Sequence, residues 1–266
     1  MKIRLDKYLA DTGYGTRNQV KTLVKTGKIT INGTICKDSS EKVDTALDDI
    51  RVNGEKASYS EYEYYMLHKP AGIITASRDK NEKTVLDLIS SKKRRDLFPV
   101  GRLDRDTEGL LLITNDGELS HRLLAPGKHV DKIYSVIVQG NVPEDIENLF
   151  KSGIDIGDDT PAKPAKLRAY TGPDEYLKDY NDPMFIEKYN SLINSDYTSA
   201  DTLSLFEIIL TEGRYHEIKR MFEAVGCTVV YLKRYSMGSL MLDLNLAPGE
   251  YRELTSSELE ALNKHL

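Results

Sequence analysis

The stretch that most restricts the fold is residues 109–114, Gly-Leu-Leu-Leu-Ile-Thr, a wholly apolar run that a charged loop leads into and that Asn115-Asp116-Gly117 brings to a stop. A strand without polar alternation is covered on both faces, so it belongs inside a sheet. Such a strand holds the loop at its mouth rigidly, and loops on rigid scaffolds are where function concentrates. That loop carries Arg102, Asp104, Arg105, Asp106 and Glu108. On composition alone it reads as a solvated charged turn beside a core strand. Asp116 is placed to cap the helix expected at 118–124.

Further strands are expected at 134–138 and 203–210, and a further helix at 215–225. Strands and short helices in this mixture predict an α+β domain with a largely antiparallel sheet. A second apolar region opens at Tyr64, where Pro70 and Gly72 break a strand into a turn. The N-terminus reads differently. Leu5, Tyr8 and Leu9 have helical spacing, Gly13 to Gly15 interrupt it, and Thr16 can cap a second helix built on Val20, Leu23 and Val24. Gly27 ends that helix, and Lys28-Ile-Thr-Ile-Asn-Gly33 alternates as a strand running into an Asn-Gly hairpin turn. The polar residues 56–61 form a linker. Residues 172–201 are polar and acidic with no sustained period, and are expected to be a surface insertion.

With 266 residues, 39% of them hydrophobic, the chain can fill one sizeable core and a small one. Its net charge of −5 argues against a nucleic-acid partner if spread evenly. It is not spread evenly. Residues 1–37 hold eight Lys/Arg against Asp6 and Asp11, whereas 172–201 hold seven acids against two lysines. Lys92-Lys-Arg-Arg95 is either a solvated face or a phosphate contact. Cys36 and Cys227 form no CxxC or Cys/His cluster, so neither a disulfide framework nor a zinc site is expected. No apolar run reaches membrane-spanning length and the first residues lack a signal-peptide stretch, which predicts a cytoplasmic protein.

Gly101-Arg-Leu-Asp104 followed by Thr107-Glu-Gly-Leu-Leu111 resembles the catalytic motif of the pseudouridine synthases. Three further segments match that family in the same order: Leu67-His-Lys-Pro-Ala-Gly72, Lys132-Ile-Tyr134, and Glu212-Gly-Arg-Tyr-His-Glu-Ile-Lys-Arg-Met-Phe222. Arg4-Leu-Asp-Lys-Tyr-Leu9, Thr16-Arg17 and Gly27-Lys-Ile-Thr-Ile-Asn-Gly33 resemble the S4 RNA-binding domain. The resemblance implies an S4-like domain of helix-turn-helix plus strands over 1–58. It also implies a catalytic domain with a mainly antiparallel sheet over 62–266, interrupted by the insertion. Glu212-Gly-Arg-Tyr-His-Glu-Ile-Lys-Arg-Met-Phe-Glu-Ala-Val-Gly226, Lys163-Pro-Ala165 and Leu246-Ala-Pro-Gly-Glu-Tyr-Arg252 are similar to the branch acting on 16S small-subunit ribosomal RNA. The 23S large-subunit branch is the alternative. A catalytically silent ribosome-assembly protein is a third reading, against which Asp104 and Tyr134 are both intact.

The resemblance makes Asp104 the essential carboxylate. Uracil must leave C1′ of the ribose and return through C5, on a base flipped out of its RNA context, and an ionised carboxylate serves as nucleophile or base. Desolvation opposes ionisation and a nearby cation favours it. Lys219 is the expected cation, at a position where the family usually has Arg; Arg220 is the rival, pointing about 100° away on a helix. Tyr134 resembles the family tyrosine that stacks on uracil and assists proton movement at C5. Arg102, Arg105, Thr107, Arg214 and Arg220 are expected to bind substrate, and Arg4, Lys7, Arg17, Lys21 and Lys25 to meet RNA phosphates. His216 is given a structural hydrogen-bonding role. The reaction is a redox-neutral isomerisation, so no cofactor or metal is expected. The expected partner is ribosomal RNA or a small-subunit assembly intermediate, bound by a monomer away from membranes.

Overall fold

A computed structural model describes residues 1–90, 94–194 and 203–264. They divide into two compact units, the first comprising Met1–Tyr64 with Ile89–Phe98 and Ile113–Asp116, the second Tyr65–Leu88, Pro99–Leu112 and Gly117–Leu266.

The first unit runs β1 (Lys2–Arg4), α1 (Leu5–Asp11), α2 (Arg17–Lys25), β2 (Ile29–Ile31), β3 (Thr34–Ile35), β4 (Lys42–Asp44), β5 (Ile50–Val52) and β6 (Glu55–Lys56). α2 begins at a capping box: the Thr16 hydroxyl accepts the Gln19 N–H, and the Gln19 side chain accepts the Thr16 N–H at 2.8 Å. Leu5, Tyr8, Leu9, Val20 and Val24 on the two helices bury against Ile29, Val43, Ile50 and Val52 on the strands. Asn32 and Gly33 both take positive φ, as a two-residue hairpin between β2 and β3 requires.

Of the basic run 92–95, Lys92 and Lys93 lie outside the described residues. Arg94 is not on a solvated face, being 4% exposed. Its guanidinium bonds Asp96 at 2.6 and 2.9 Å, lies 3.4 Å from Asp11, and sits over the Tyr59 ring. Two carboxylates and an aromatic face compensate the buried charge, so it is structural rather than a free phosphate contact.

In the second unit the elements are β7 (Tyr64–Lys69), β8 (Phe98–Pro99), β9 (Glu108–Thr114), α3 (Gly117–Leu124), β10 (Lys132–Gln139), α4 (Ile146–Ser152), β11 (Lys166–Tyr170), α5 (Pro173–Tyr180), α6 (Pro183–Asn194), β12 (Leu203–Leu210), α7 (Glu217–Ala224), β13 (Thr228–Met237), β14 (Leu240–Met241), β15 (Tyr251–Glu253) and α8 (Ser256–Lys264). The sheet order is β11-β12-β10-β13-β9-β7-β15. β10 pairs antiparallel with both neighbours, while β9 runs parallel to β13. The mixed α+β architecture and largely antiparallel pairing are therefore present.

Two local features aim this sheet at its cavity. Gly109 pairs with Arg234, and a Cβ on Gly109 would lie 2.2 Å from the Arg234 carbonyl oxygen, so only glycine lets β9 approach β13 beside the charged loop. Opposite Ile133 and Tyr134, β13 carries one extra residue, Tyr235, in a bulge. A bulge re-aims the side chains around it.

The described part of the expected insertion, residues 172–194, is more structured than a surface insertion, and residues 195–201 lie outside the described residues. α5 and α6 bury Tyr176, Phe185 and Ile186 against Ile137, Leu205 and Tyr235. Asp182, fully buried between the two helices, accepts a 2.5 Å bond from Lys233 and one from the Tyr235 hydroxyl. Removing one member of such a buried pair costs about 3–5 kcal/mol. The acidic character that suggested a solvated loop includes a carboxylate spent inside the fold.

Candidate active site

One cavity of about 560 Å³ gathers the chemistry of the second unit. Gly101 to Asp104 and Thr107 line one side, Lys132 and Tyr134 on β10 with Leu232 and Arg234 on β13 form the floor, and Thr211 to Lys219 line the other side.

The loop carrying Asp104 is built from underneath. The Thr107 N–H closes a turn onto the Asp104 carbonyl at 3.2 Å. Lys69, at the buried end of β7, donates to the carbonyls of Pro70, Arg105 and Thr107 at 3.0, 3.2 and 2.9 Å. Burial pushes the Lys69 ammonium down to about 8, with Asp106, Glu108 and Asp104 opposing that push. A donor that satisfies the Arg105 and Thr107 carbonyls of this loop and also that of Pro70 fixes the height at which Asp104 is presented.

Asp104 is a little over a quarter exposed, with the Lys219 ammonium 3.4 Å from Oδ2 and His216 Nε2 3.6 Å from Oδ1. Lys219 gives its hydrogen bonds to Asp106 instead, at 2.6 and 2.8 Å. Burial acts to raise the Asp106 carboxyl, but the bond and charge of Lys219 outweigh it and hold Asp106 below its ordinary value. The pairing expected between Lys219 and Asp104 is thus an ion pair shared with Asp106. Arg220 points elsewhere, bonding Asp158 at 2.6 and 3.1 Å and the Ile156 carbonyl at 3.2 Å.

Tyr134 is 8% exposed and faces the same cavity. Thr107 and Arg102 also line it; Thr107 is buried with its hydroxyl unpaired, and Arg102 is exposed without a hydrogen bond or ion pair among the described residues. Arg214 lines the wall while its guanidinium donates to the carbonyls of Thr160 and Pro161 at 2.7 and 3.0 Å. Arg105 and Arg220 are not among the cavity residues, and Arg105 is bound to Glu82 at 3.1 Å and to the Gly72 carbonyl. Their charges are already satisfied by protein, which removes them from the lining.

His216, set aside in the sequence, stands at the cavity in a left-handed conformation, stacked on Tyr215. Lys69, Asp106, Lys132, Glu212, Glu217 and Arg234 were given no role by sequence reasoning. Lys69 had a visible signal, a lysine closing an apolar strand. The others owe their place to chain segments that meet only in the fold.

In the first unit Arg4 is bonded to Asp6 at 2.7 Å and Lys7 to Asp11 at 2.7 Å. Arg17, Lys21 and Lys25 are exposed on α2 four residues apart, so they share one face, and none makes an ion pair among the described residues. Among the described residues no helix is long and apolar enough to cross a membrane.

Residues 63–224 match the RNA pseudouridylate synthase family and residues 3–49 the S4 domain. The chain is 44% identical to YtzG of Bacillus subtilis, an uncharacterized RNA pseudouridine synthase, over 98% of this chain and 99% of that protein. It is 35% identical to ribosomal small subunit pseudouridine synthase A of Pasteurella multocida, over 98% and 100%. It is 36% identical to ribosomal large subunit pseudouridine synthase B of Bacillus subtilis, over 97% and 95%. A two-part RNA enzyme, with an S4 domain ahead in sequence of the domain that holds the Asp104 cavity, is what these features define. The chain belongs to the RNA pseudouridylate synthase family. Its activity is that of an isomerase acting on RNA.

Proposed function

We propose that this enzyme isomerises a uridine of ribosomal RNA, in the small subunit, using Asp104 as nucleophile or base. The observation that carries the reading is the Asp104 carboxylate, set at 3.4 Å from the Lys219 ammonium on the wall of a cavity floored by Tyr134. The cation sets an opposite charge beside the carboxylate at the place where an RNA base would displace water from the cavity. Tyr134 supplies a ring for the uracil and a hydroxyl for proton movement at C5. Arg102, Thr107 and Arg214 face the substrate. Residues 62–266 form the catalytic domain, and residues 1–58 hold RNA through Arg17, Lys21 and Lys25 on one face of α2. Arg4 and Lys7 are weaker phosphate contacts because Asp6 and Asp11 engage them. The enzyme works as a monomer in the cytoplasm on ribosomal RNA or a small-subunit assembly intermediate.

The large-subunit reading has one observation in its favour: the relative named for that subunit is as similar as the relative named for the small one. The small-subunit choice rests on the segment Glu212 to Gly226, on Lys163-Pro-Ala165 and on the segment ending at Arg252. Mapping pseudouridine in both ribosomal RNAs, from cells with and without the gene, decides between them. Loss of one site in 16S RNA is the expected result; loss confined to 23S RNA transfers the assignment.

A further inference from the structure

In the cavity wall itself lies an acid pair that the reaction scheme leaves unused. Glu217 opens α7 and is 4% exposed, yet it faces a second carboxyl, Glu212, within hydrogen-bonding reach. Glu217 Oε2 accepts the Arg214 N–H at 3.0 Å, whereas Oε1 is buried and receives no hydrogen bond among the described residues. Glu212 Oε1 accepts the Lys163 N–H at 2.7 Å, and its Oε2 stands 3.4 Å from the Arg214 guanidinium. Among the described residues the two carboxylates have no donor between them. A shared acidic proton supplies the missing bond and removes the like-charge repulsion.

We infer that Glu217, paired with Glu212, is a positioning residue for the reaction: the two carboxyls share one proton, which fixes the 212–217 loop that brings Arg214 and His216 to the cavity. The inference rests on the pseudouridine synthase reading of that cavity. Neither oxygen of Glu217 needs to touch RNA. The loop is already pinned at Arg214 to the carbonyls of Thr160 and Pro161, and the shared proton is the latch at its other end. Losing it leaves two buried anions side by side and releases the wall.

The surrounding charges do not supply this latch. Arg214 on the same loop, Arg220 on α7 and Lys132 on β10 act on Glu217 electrostatically, and Arg234 on β13 faces Lys132. Lys132 gives its hydrogen bond to the Val130 carbonyl at 3.0 Å, and Arg220 gives its bonds to Asp158 and Ile156. Burial, followed by the bond to Glu212, carries the Glu217 carboxyl up to about 7. The proton is therefore held below neutrality and released above it, within the range where an enzyme works.

The test compares full-length wild type, Glu217→Gln and Glu217→Ala. Gln keeps an acceptor for the Arg214 N–H and presents a permanent donor to Glu212, reproducing the protonated state. Fluorescence titration with a uridine-containing ribosomal RNA hairpin, at constant salt, measures affinity against pH. If the latch is required, wild-type affinity falls roughly tenfold between about pH 6 and about pH 8, the window set by a carboxyl near 7. Glu217→Gln holds the low-pH affinity throughout, and Glu217→Ala is weak at both ends. Every pH-dependent group other than residue 217 is shared by wild type and the Gln variant, so the difference between the two curves isolates Glu217. Superimposable pH courses for wild type and Gln overturn the inference, as does a Gln variant no tighter than Ala. Pseudouridine formation by the same wild-type sample is scored separately. Its absence at saturating RNA refutes the functional reading, while the binding curves still decide the role of Glu217.

Discussion

Lys219 donates both of its hydrogen bonds to Asp106, at 2.6 and 2.8 Å. The neighbouring Asp104 receives the same positive charge at 3.4 Å without a hydrogen bond to its carboxylate among the described residues. A nucleophile or base needs lone pairs that are not already engaged. The division of labour follows from chain geometry: Asp106 fixes the ammonium, and the ammonium steadies an uncommitted Asp104.

Replacing Lys219 separates charge from shape. Lys219→Arg keeps a cation between the two acids, and single-turnover isomerisation should stay within about tenfold of wild type. Lys219→Met leaves adjacent carboxylates uncompensated, and the same rate should fall by about a hundredfold or more. A Met variant as fast as the Arg variant would show that the cation plays no part in the chemistry.

RNA attraction by the N-terminal unit should be concentrated on one face of α2. Neutralising Arg17, Lys21 or Lys25 singly should lower the slope of log affinity against log salt by roughly one unit each, because each lost phosphate contact retains its counterion. Arg4→Gln and Lys7→Gln should change the slope less, since those cations already serve Asp6 and Asp11. Titrations of a ribosomal RNA fragment at several salt concentrations check this. Equal slopes for all five variants and wild type would make the charge a solvated face.

Lys69 gives a stability signature under the catalytic loop. Burial lowers its ammonium from 10.5 to about 8, so the unfolded chain binds that proton more tightly than the folded one. Stability contributed by the site is present above about 10.5 and lost as pH falls through about 8, a swing of roughly 3 kcal/mol. Urea unfolding of wild type and Lys69→Met across this window should show wild type gaining on the variant as pH rises. A constant difference would mean that the amine is not desolvated in the folded state.

Much of the architecture was legible because local signals and tertiary structure agree. Thr16 and Gln19 cap α2, Asn32-Gly33 turns β2 into β3, and the apolar run ending at Thr114 became the parallel strand β9. The helices at 173–194 were not legible. Their apolar positions are interleaved with charged and polar residues, and what secures them is the packing of Tyr176, Phe185 and Ile186 on Ile137, Leu205 and Tyr235, together with Asp182 meeting Lys233 and Tyr235, residues some fifty positions away. The site shows the same limit. The resemblance to the pseudouridine synthases identified Asp104, Tyr134, Thr107 and Lys219, all of which line the cavity. It also drew in Arg105 and Arg220, whose charges are taken by Glu82 and Asp158, partners that no spacing rule connects to them. Glu217 escaped notice because an acid in a charged motif looks solvated until burial and Glu212 are seen together.

The central claim is that the Asp104 carboxylate performs the isomerisation. Asp104→Asn keeps the size of the side chain and removes only its charge and nucleophilicity, so the variant should fold and bind ribosomal RNA as wild type does. The decisive measurement is pseudouridine formed in a single turnover on saturating ribosomal RNA by the two proteins side by side. No detectable product from Asp104→Asn, with RNA affinity retained, is the predicted result. Turnover within about tenfold of wild type, a barrier change of only about 1.4 kcal/mol, would contradict it.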